Sequence, residues 1–211
     1  MKSLCVLVAV GLLGAGYWYS QRPIVYAPGV LVPFNPVQDD LSGDTLAIEY
    51  GEFHLRPLAR FSINARVLHR KVYRYDRQAK LVPVDLALGW GLMSDQGVLD
   101  QLSISQSARF YWYSYQQPPP ISEEQIICHS TNVHVIPSNA EIASRCKSLR
   151  AGTIVHLAGL LVEASGPEIE SWRSSLTRTD TGNGACELMW VEEMSILGDR
   201  SEIDRQSIAK H

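Results

Sequence analysis

The sequence predicts a mostly β domain with one or two helices, a small closed barrel of the OB type with insertions, behind an N-terminal transmembrane helix. Three observations carry that expectation. Residues 3–19 are uncharged and mostly apolar; residues 58–71 alternate apolar and polar; and the strand-like segments are arranged around one well-marked helix. The bulk composition agrees. A chain of 211 residues suits one domain with additions, and 45% apolar against 19% charged residues excludes a disordered chain. The net charge of −3 supplies no global basic field for nucleic acid. Four cysteines are too few for a disulfide-built miniprotein and lack the paired spacing of a zinc ribbon.

The first segment, 1–22, reads as a membrane anchor. Its run 3–19 (SLCVLVAVGLLGAGYWY) lies between Lys2 and Arg22. At 1.5 Å per residue it spans ~25 Å, near the short end of what crosses a ~30 Å hydrocarbon core. Tyr17, Trp18 and Tyr19 suit the far interface, where amphipathic rings sit at headgroup depth. A cleavable signal peptide ending at Gly14-Ala15-Gly16 is the rival reading, and aromatic bulk directly after Gly16 argues against it. The basic residues at the two ends nearly balance, so orientation rests on the habit of short N-terminal anchors to leave the amino end in the cytoplasm. Residues 23–45 hold Pro23, Pro28, Pro33 and Pro36, and are expected to form an extended linker. The domain is then 46–197, and 198–211 reads as a flexible tail.

Within the domain the clearest strand runs from Leu58 to Lys71. Ala59, Phe61, Ile63, Ala65 and Val67 fall on one face, and Arg60, Ser62, Asn64 and Arg66 on the other. Residues 84–92 (VDLALGWGL) are apolar and Gly-broken, a short strand or turn, after which Ser94 is expected to cap a short helix bearing Val98, Leu99 and Leu102. Residues 104–115 are aromatic and strand-prone up to Pro118-Pro119-Pro120. Ser138 and Glu141 form a capping-box pattern, followed by Ile142, Cys146 and Leu149 on one helical face and Gly152 as the stop. Thr153–Glu163 and Cys186–Ile196 supply two further strands. Three strands, a helix and two strands is the order of an OB barrel, with 73–103 and 116–130 as elaborations.

Few residues announce chemistry. Asp180-Thr181-Gly182 matches the triplet of aspartic proteases, whose mechanism needs two such carboxylates; only one is present, and Asp-Thr-Gly-Asn-Gly makes a good tight turn. Cys128 and His134 on one strand would sit ~20 Å apart, too far to ligate one zinc ion. His134 with Asn132 is the better polar pair, which Cys186 or Glu187 can complete across a sheet. Cys146 reads as core, and Cys128 with Cys186 is a candidate disulfide if the domain is exported. The stretch 56–80 carries Arg56, Arg60, Arg66, Arg70, Lys71, Arg74, Arg77 and Lys80 against Asp76 alone. It reads either as a face paired with the acidic C-terminal strands or as a surface for anionic lipid; export argues against single-stranded nucleic acid.

Three motifs stand out within 60–196, most of which the resemblance they carry covers: Asp85–Gly91 (DLALGWG), His129–Pro137 (HSTNVHVIP) and Trp172–Glu187 (WRSSLTRTDTGNGACE). In them the chain resembles an uncharacterised family of bacterial membrane-anchored proteins. The resemblance implies one shared domain behind a bacterial membrane segment and no particular chemistry; with the amino end in the cytoplasm, the anchor is expected in the inner membrane and the domain in the periplasm. The expected function is binding of a small molecule or protein partner. Arg109, His129, Asn132, His134, Arg178 and Asp180 are its polar contacts, Trp90 and Trp172 its apolar walls, and Cys186 and Glu187 further candidates. The alternatives are a hydrolase using Cys186 or His134 with Asp180, and a binder of anionic lipid or nucleic acid through the basic face. No cofactor or metal is expected.

Overall fold

The computed structural model describes residues 21–42, 46–167, 169–177, 182 and 184–198. It is mostly β: ten strands and three helices among those residues. The strands are β1 (Val37–Asp40), β2 (Ile48–Tyr50), β3 (Phe53–Val72), β4 (Val84–Gly89), β5 (Leu102–Ser107), β6 (Phe110–Tyr115), β7 (Ser130–Pro137), β8 (Ile154–Gly166), β9 (Ile169–Arg173) and β10 (Glu187–Ile196). The helices are α1 (Gln96–Leu99), α2 (Glu123–Cys128) and α3 (Ala140–Ser148). No helix among these residues is long and apolar enough to cross a membrane; the run 3–19 lies outside them.

Eight strands make one sheet, in the order β1-β3-β4-β7-β10-β8-β9 with β2 also on β3. A further pairing of β3 with β8 turns the sheet back on itself, so that β3, β4, β7, β10 and β8 form a ring. All its pairings are antiparallel except β7 with β10. The alternation expected for residues 58–71 is what β3 delivers. Ala59, Phe61, Ile63, Ala65 and Val67 point into the ring and meet Leu86, Leu88, Val133, Val135, Leu157, Leu161, Met189 and Val191.

A register shift at Leu68, between Val67 and His69, gives β3 one extra residue. Leu68 thereby leaves the interior and joins Ala87, Met93 and Ile126 on the outside of the ring. There β5 and β6 form a hairpin that lies over β4 and β7. Every residue of β4 and β7 is buried, one face by the ring core and the other by the hairpin, α2, Trp172 and, around Ile136, the cluster of Leu81, Val82 and Leu188.

Local signals needed small corrections. Residues 104–115 are most of a hairpin, because Ala108 (φ 49°) and Arg109 (φ 69°) make a two-residue turn of the type whose twist suits paired strands. Asp95, not Ser94, caps α1, accepting from Gly97 N at 2.8 Å. Asn139, not Ser138, caps α3, accepting from Ile142 N at 3.0 Å. The α3 face of Ile142, Cys146 and Leu149 is buried as its spacing requires.

The Pro-rich stretch departs most from expectation. Instead of a spacer, residues 24–40 are fastened along the domain. Ile24 N donates to Ala151 O at 2.8 Å, and Gly29 N to Asp95 Oδ1 at 2.9 Å. Leu31 N and Val32 N both donate to Ser94 Oγ (3.1 and 3.0 Å). Val32 is fully buried, and β1 pairs with β3. Proline forbids helix here, but side-chain acceptors of the domain satisfy the extended backbone. Residues 43–45 and 199–211 lie outside the described residues.

Candidate functional site

Asp85 and His134 face each other across β4 and β7, on the outer side of the ring. Both side chains are almost fully enclosed, at 1% and 4% exposure. A carboxylate in that position must be partnered. Asp85 Oδ1 accepts from Arg109 Nη1 at 3.1 Å and contacts His134 Nδ1 at 2.9 Å. Paired with Arg109, Asp85 is an acceptor only, so Nδ1 carries the proton of that bond. No hydrogen bond among the described residues engages His134 Nε2.

Arg109 reaches Asp85 from the turn of the hairpin. Its Nη1 also donates to Val82 O (2.9 Å), and its Nη2 to both oxygens of Asp76 (2.7 and 2.9 Å). The guanidinium lies 3.6 Å from the centre of the Tyr73 ring, a close cation–π stack. Burial, then the charge of Asp85, pushes the Tyr73 phenol up to about 12. Positive φ at two non-glycine residues is an uncommon backbone state, stabilised here by what Arg109 touches.

A second polar chain continues from the same turn. His69 Nδ1 meets Gln106 Oε1 at 2.9 Å, and Gln106 Nε2 donates to Asn132 Oδ1. Asn132 Nδ2 donates to Arg109 O (3.1 Å) and lies 3.6 Å from Cys186 Sγ. The shift at Leu68 sets His69 opposite Ala87, on the side where Gln106 waits.

Trp172 of β9 closes the arrangement, with its ring centre 4.7 Å from that of His134. β9 is held by Glu163 of β8, which pairs with Arg56 and with Arg173 (3.0 Å) and accepts from Ser171 Oγ (2.8 Å). The Ser171 hydrogen bond and the two arginines hold the Glu163 carboxyl below its usual range. Between the hairpin turn and β9 opens a cleft of about 460 Å³, lined by Arg109, Phe110, His134, Trp172, Arg173 and Cys186. A second, of about 240 Å³, lies across Phe110 and Cys186 and is lined by Tyr111, Tyr113, Thr131 and Asn132. A larger hollow, about 950 Å³, lies beside Pro118–Pro120, where no lining residue is buried.

Of the residues expected at a site, Arg109, Asn132, His134, Trp172 and Cys186 come together here. Trp90 does not: it lies in the ring core with Nε1 bonded to Asn35 Oδ1 at 3.0 Å. His129 is at the end of α2, packed against Gly91, whose positive φ (49°) and lack of a Cβ leave room for the imidazole. Glu187 is buried on the β10 face that points into the ring and accepts from Thr131 Oγ1. Arg178 and Asp180 lie outside the described residues. Cys128, Cys146 and Cys186 are all free thiols, so the disulfide considered between Cys128 and Cys186 is not formed. No group of three metal-ligating side chains converges among the described residues.

Sequence reasoning missed Asp85, Asp76, Tyr73 and Gln106. For Asp85 a signal existed: one carboxylate inside Val84–Gly89 has to find buried partners. No protein-family model matches the chain, and no curated protein matches it.

Proposed function

We propose that the chain is a membrane-anchored envelope protein, held by residues 3–19, whose extracytoplasmic β domain binds a small ligand in the cleft between the hairpin turn and β9. One observation carries this reading. Asp85, itself buried, fixes both His134 and Arg109, and His134 Nε2 has no hydrogen bond among the described residues, beside an aromatic-walled cleft of about 460 Å³. Small-molecule sites are concavities of ~300–1,000 Å³ with few, rigidly held polar groups. The ligand this favours has a flat apolar part against Trp172 and Phe110 and a donor facing Nε2.

The ring reads as a closed barrel of OB type. Its strands, numbered along the chain, pair in the order first, second, third, fifth, fourth and back to first, with α3 between third and fourth. In OB folds the face of the second and third strands and the loop before the fifth are the usual binding surface. Here those are β4, whose Asp85 lies behind His134, β7 with His134 itself, and the stretch before β10, of which Gly184 and Cys186 line the cleft. The family resemblance in the three motifs is consistent with this, since each motif contributes a residue: Asp85, His134 and Trp172.

A hydrolytic reading draws on one fact: Cys186 and His134 line the same cleft. It would set Asp85 behind His134, as a carboxylate orients the imidazole of a triad.

A fragment screen on the full-length protein in detergent, observed by NMR, tests the binding reading. Hits are expected to move the Trp172 indole and His134 imidazole signals together, and to weaken roughly tenfold or more in Trp172→Ala. A screen whose hits all leave those two signals unmoved refutes it. Loss of turnover of a reactive ester in Cys186→Ser, with those binding shifts intact, favours the hydrolase.

A further inference from the structure

Three segments without a single Asp or Glu meet at one end of the ring: 21–24, 66–72 and 142–153. Their meeting is fixed by hydrogen bonds. Arg70 Nη1 donates to Lys147 O, and Arg70 Nη2 to Gln21 Oε1 at 3.2 Å. Ile24 N donates to Ala151 O at 2.8 Å. Gly152 (φ 89°) seals the contact, since a Cβ there would lie 2.0 Å from Ile24 O. Arg66 is buried against Ser94, Gln96 and Tyr26, and Arg145 pairs with Glu141 at 3.6 Å. The other cations here are Arg22, Arg70, Lys147 and Arg150, with Lys71 on the opposite face of β3 across from Asp85, in a chain whose net charge is −3. Lys147 is exposed and Arg150 is half-buried, with no carboxylate paired to either among the described residues.

We infer that this face docks the domain on the bilayer surface, against anionic phospholipid headgroups. The inference rests on the proposed span 3–19 and deepens it. Between Tyr19 and Gln21 the chain reaches ~7 Å at most, at ~3.6 Å per residue. With residues 21 and 24 fastened to the domain, the tether has almost no slack. The basic face then lies within about one Debye length (~8 Å) of the headgroups. The packing of residues 24–40 thus removes the lift that a free linker would give, and charge complementarity selects the lipid that the face meets.

The test uses the full chain in nanodiscs of phosphatidylcholine alone or with added phosphatidylglycerol, and p-benzoylphenylalanine in place of exposed Ser148, between Lys147 and Arg150. Irradiation is expected to yield lipid adducts roughly tenfold more often on the anionic discs. Lys147→Glu with Arg150→Glu should return the yield to that of neutral discs. The same probe in place of Trp112, on the exposed hairpin, should give none. Equal yields on both discs, or no adduct from Ser148, overturn the inference. Alkaline carbonate applied to native membranes keeps its failure separate from that of the anchor. Release of the protein refutes the span, and docking with it; retention without adducts refutes docking alone.

Discussion

Asp85 is one residue in an otherwise apolar strand, and what it holds shows why it tolerates burial. Its Oδ1 receives Arg109 and His134, while its Oδ2 has no hydrogen bond, and the two Nη atoms of Arg109 are held in turn by Asp76 and Val82 O. Removing one member of a buried ionic set leaves the others unpaired, a loss of ~3–5 kcal/mol. Arg109→Ala is therefore expected to lower unfolding free energy by about that amount, measured by urea titration. A loss under ~1 kcal/mol would mean the cluster is solvated. Cys146 yields a pH prediction. Burial pushes its thiol up to about 12, from 9.0. Above about pH 9 the unfolded chain loses that proton and the folded one keeps it, so stability falls as pH rises, by ~1.4 kcal/mol per unit until about pH 12. Tyr111, likewise raised to about 12 by burial, adds to the fall above pH 10. Urea midpoints at pH 8, 9 and 10 should decline, and less steeply in Cys146→Ala. At this scale the sequence was half legible. His134, Asn132 and Arg109 are conspicuous polar residues among apolar ones, whereas Trp90 and His129 look just as conspicuous in sequence and owe their places, in the ring core and half-buried against Gly91, to tertiary packing.

At the scale of elements, the period of β3 and the apolar face of α3 were readable because each follows from repeat geometry alone. The caps fell one residue from their expected places, as Asn139 and Asp95 compete with neighbouring serines for the same backbone donors. The hairpin turn was hidden, since Ala108-Arg109 lacks the Asn-Gly or Asp-Gly that usually marks such a turn. Nor does proline content distinguish a free linker from a strap. What fastens residues 24–40 is Ser94, Asp95 and Gln96, some sixty to seventy positions on in sequence. Ser94→Ala should orphan Leu31 N and Val32 N, destabilise the protein by ~1–3 kcal/mol, and open residues 24–34 to proteolysis. Unchanged protease resistance would show that the strap is held by burial of Val32 alone.

For the molecule as a whole, three structural pieces meet at one cleft. The ring supplies His134 and Asp85, the hairpin supplies Arg109 and Phe110, and β9 with the start of β10 supplies Trp172 and Cys186. Strand order around the ring was legible only as a sequence of elements. Closure by β3 and β8 depends on a strand long enough to pair with different partners along its length, as the 20 residues of β3 do. The central claim is that Asp85 fixes the His134 ring so that a bare Nε2 faces the cleft. Imidazole ¹⁵N NMR of the full-length protein tests it most directly, at a pH where the ring is neutral and with Asp85→Asn as the comparison. The account predicts a proton on Nδ1 and none on Nε2 in the native protein, with the Nε2–H tautomer rising in the variant. A native ring already protonated on Nε2, unchanged by Asp85→Asn, would contradict it.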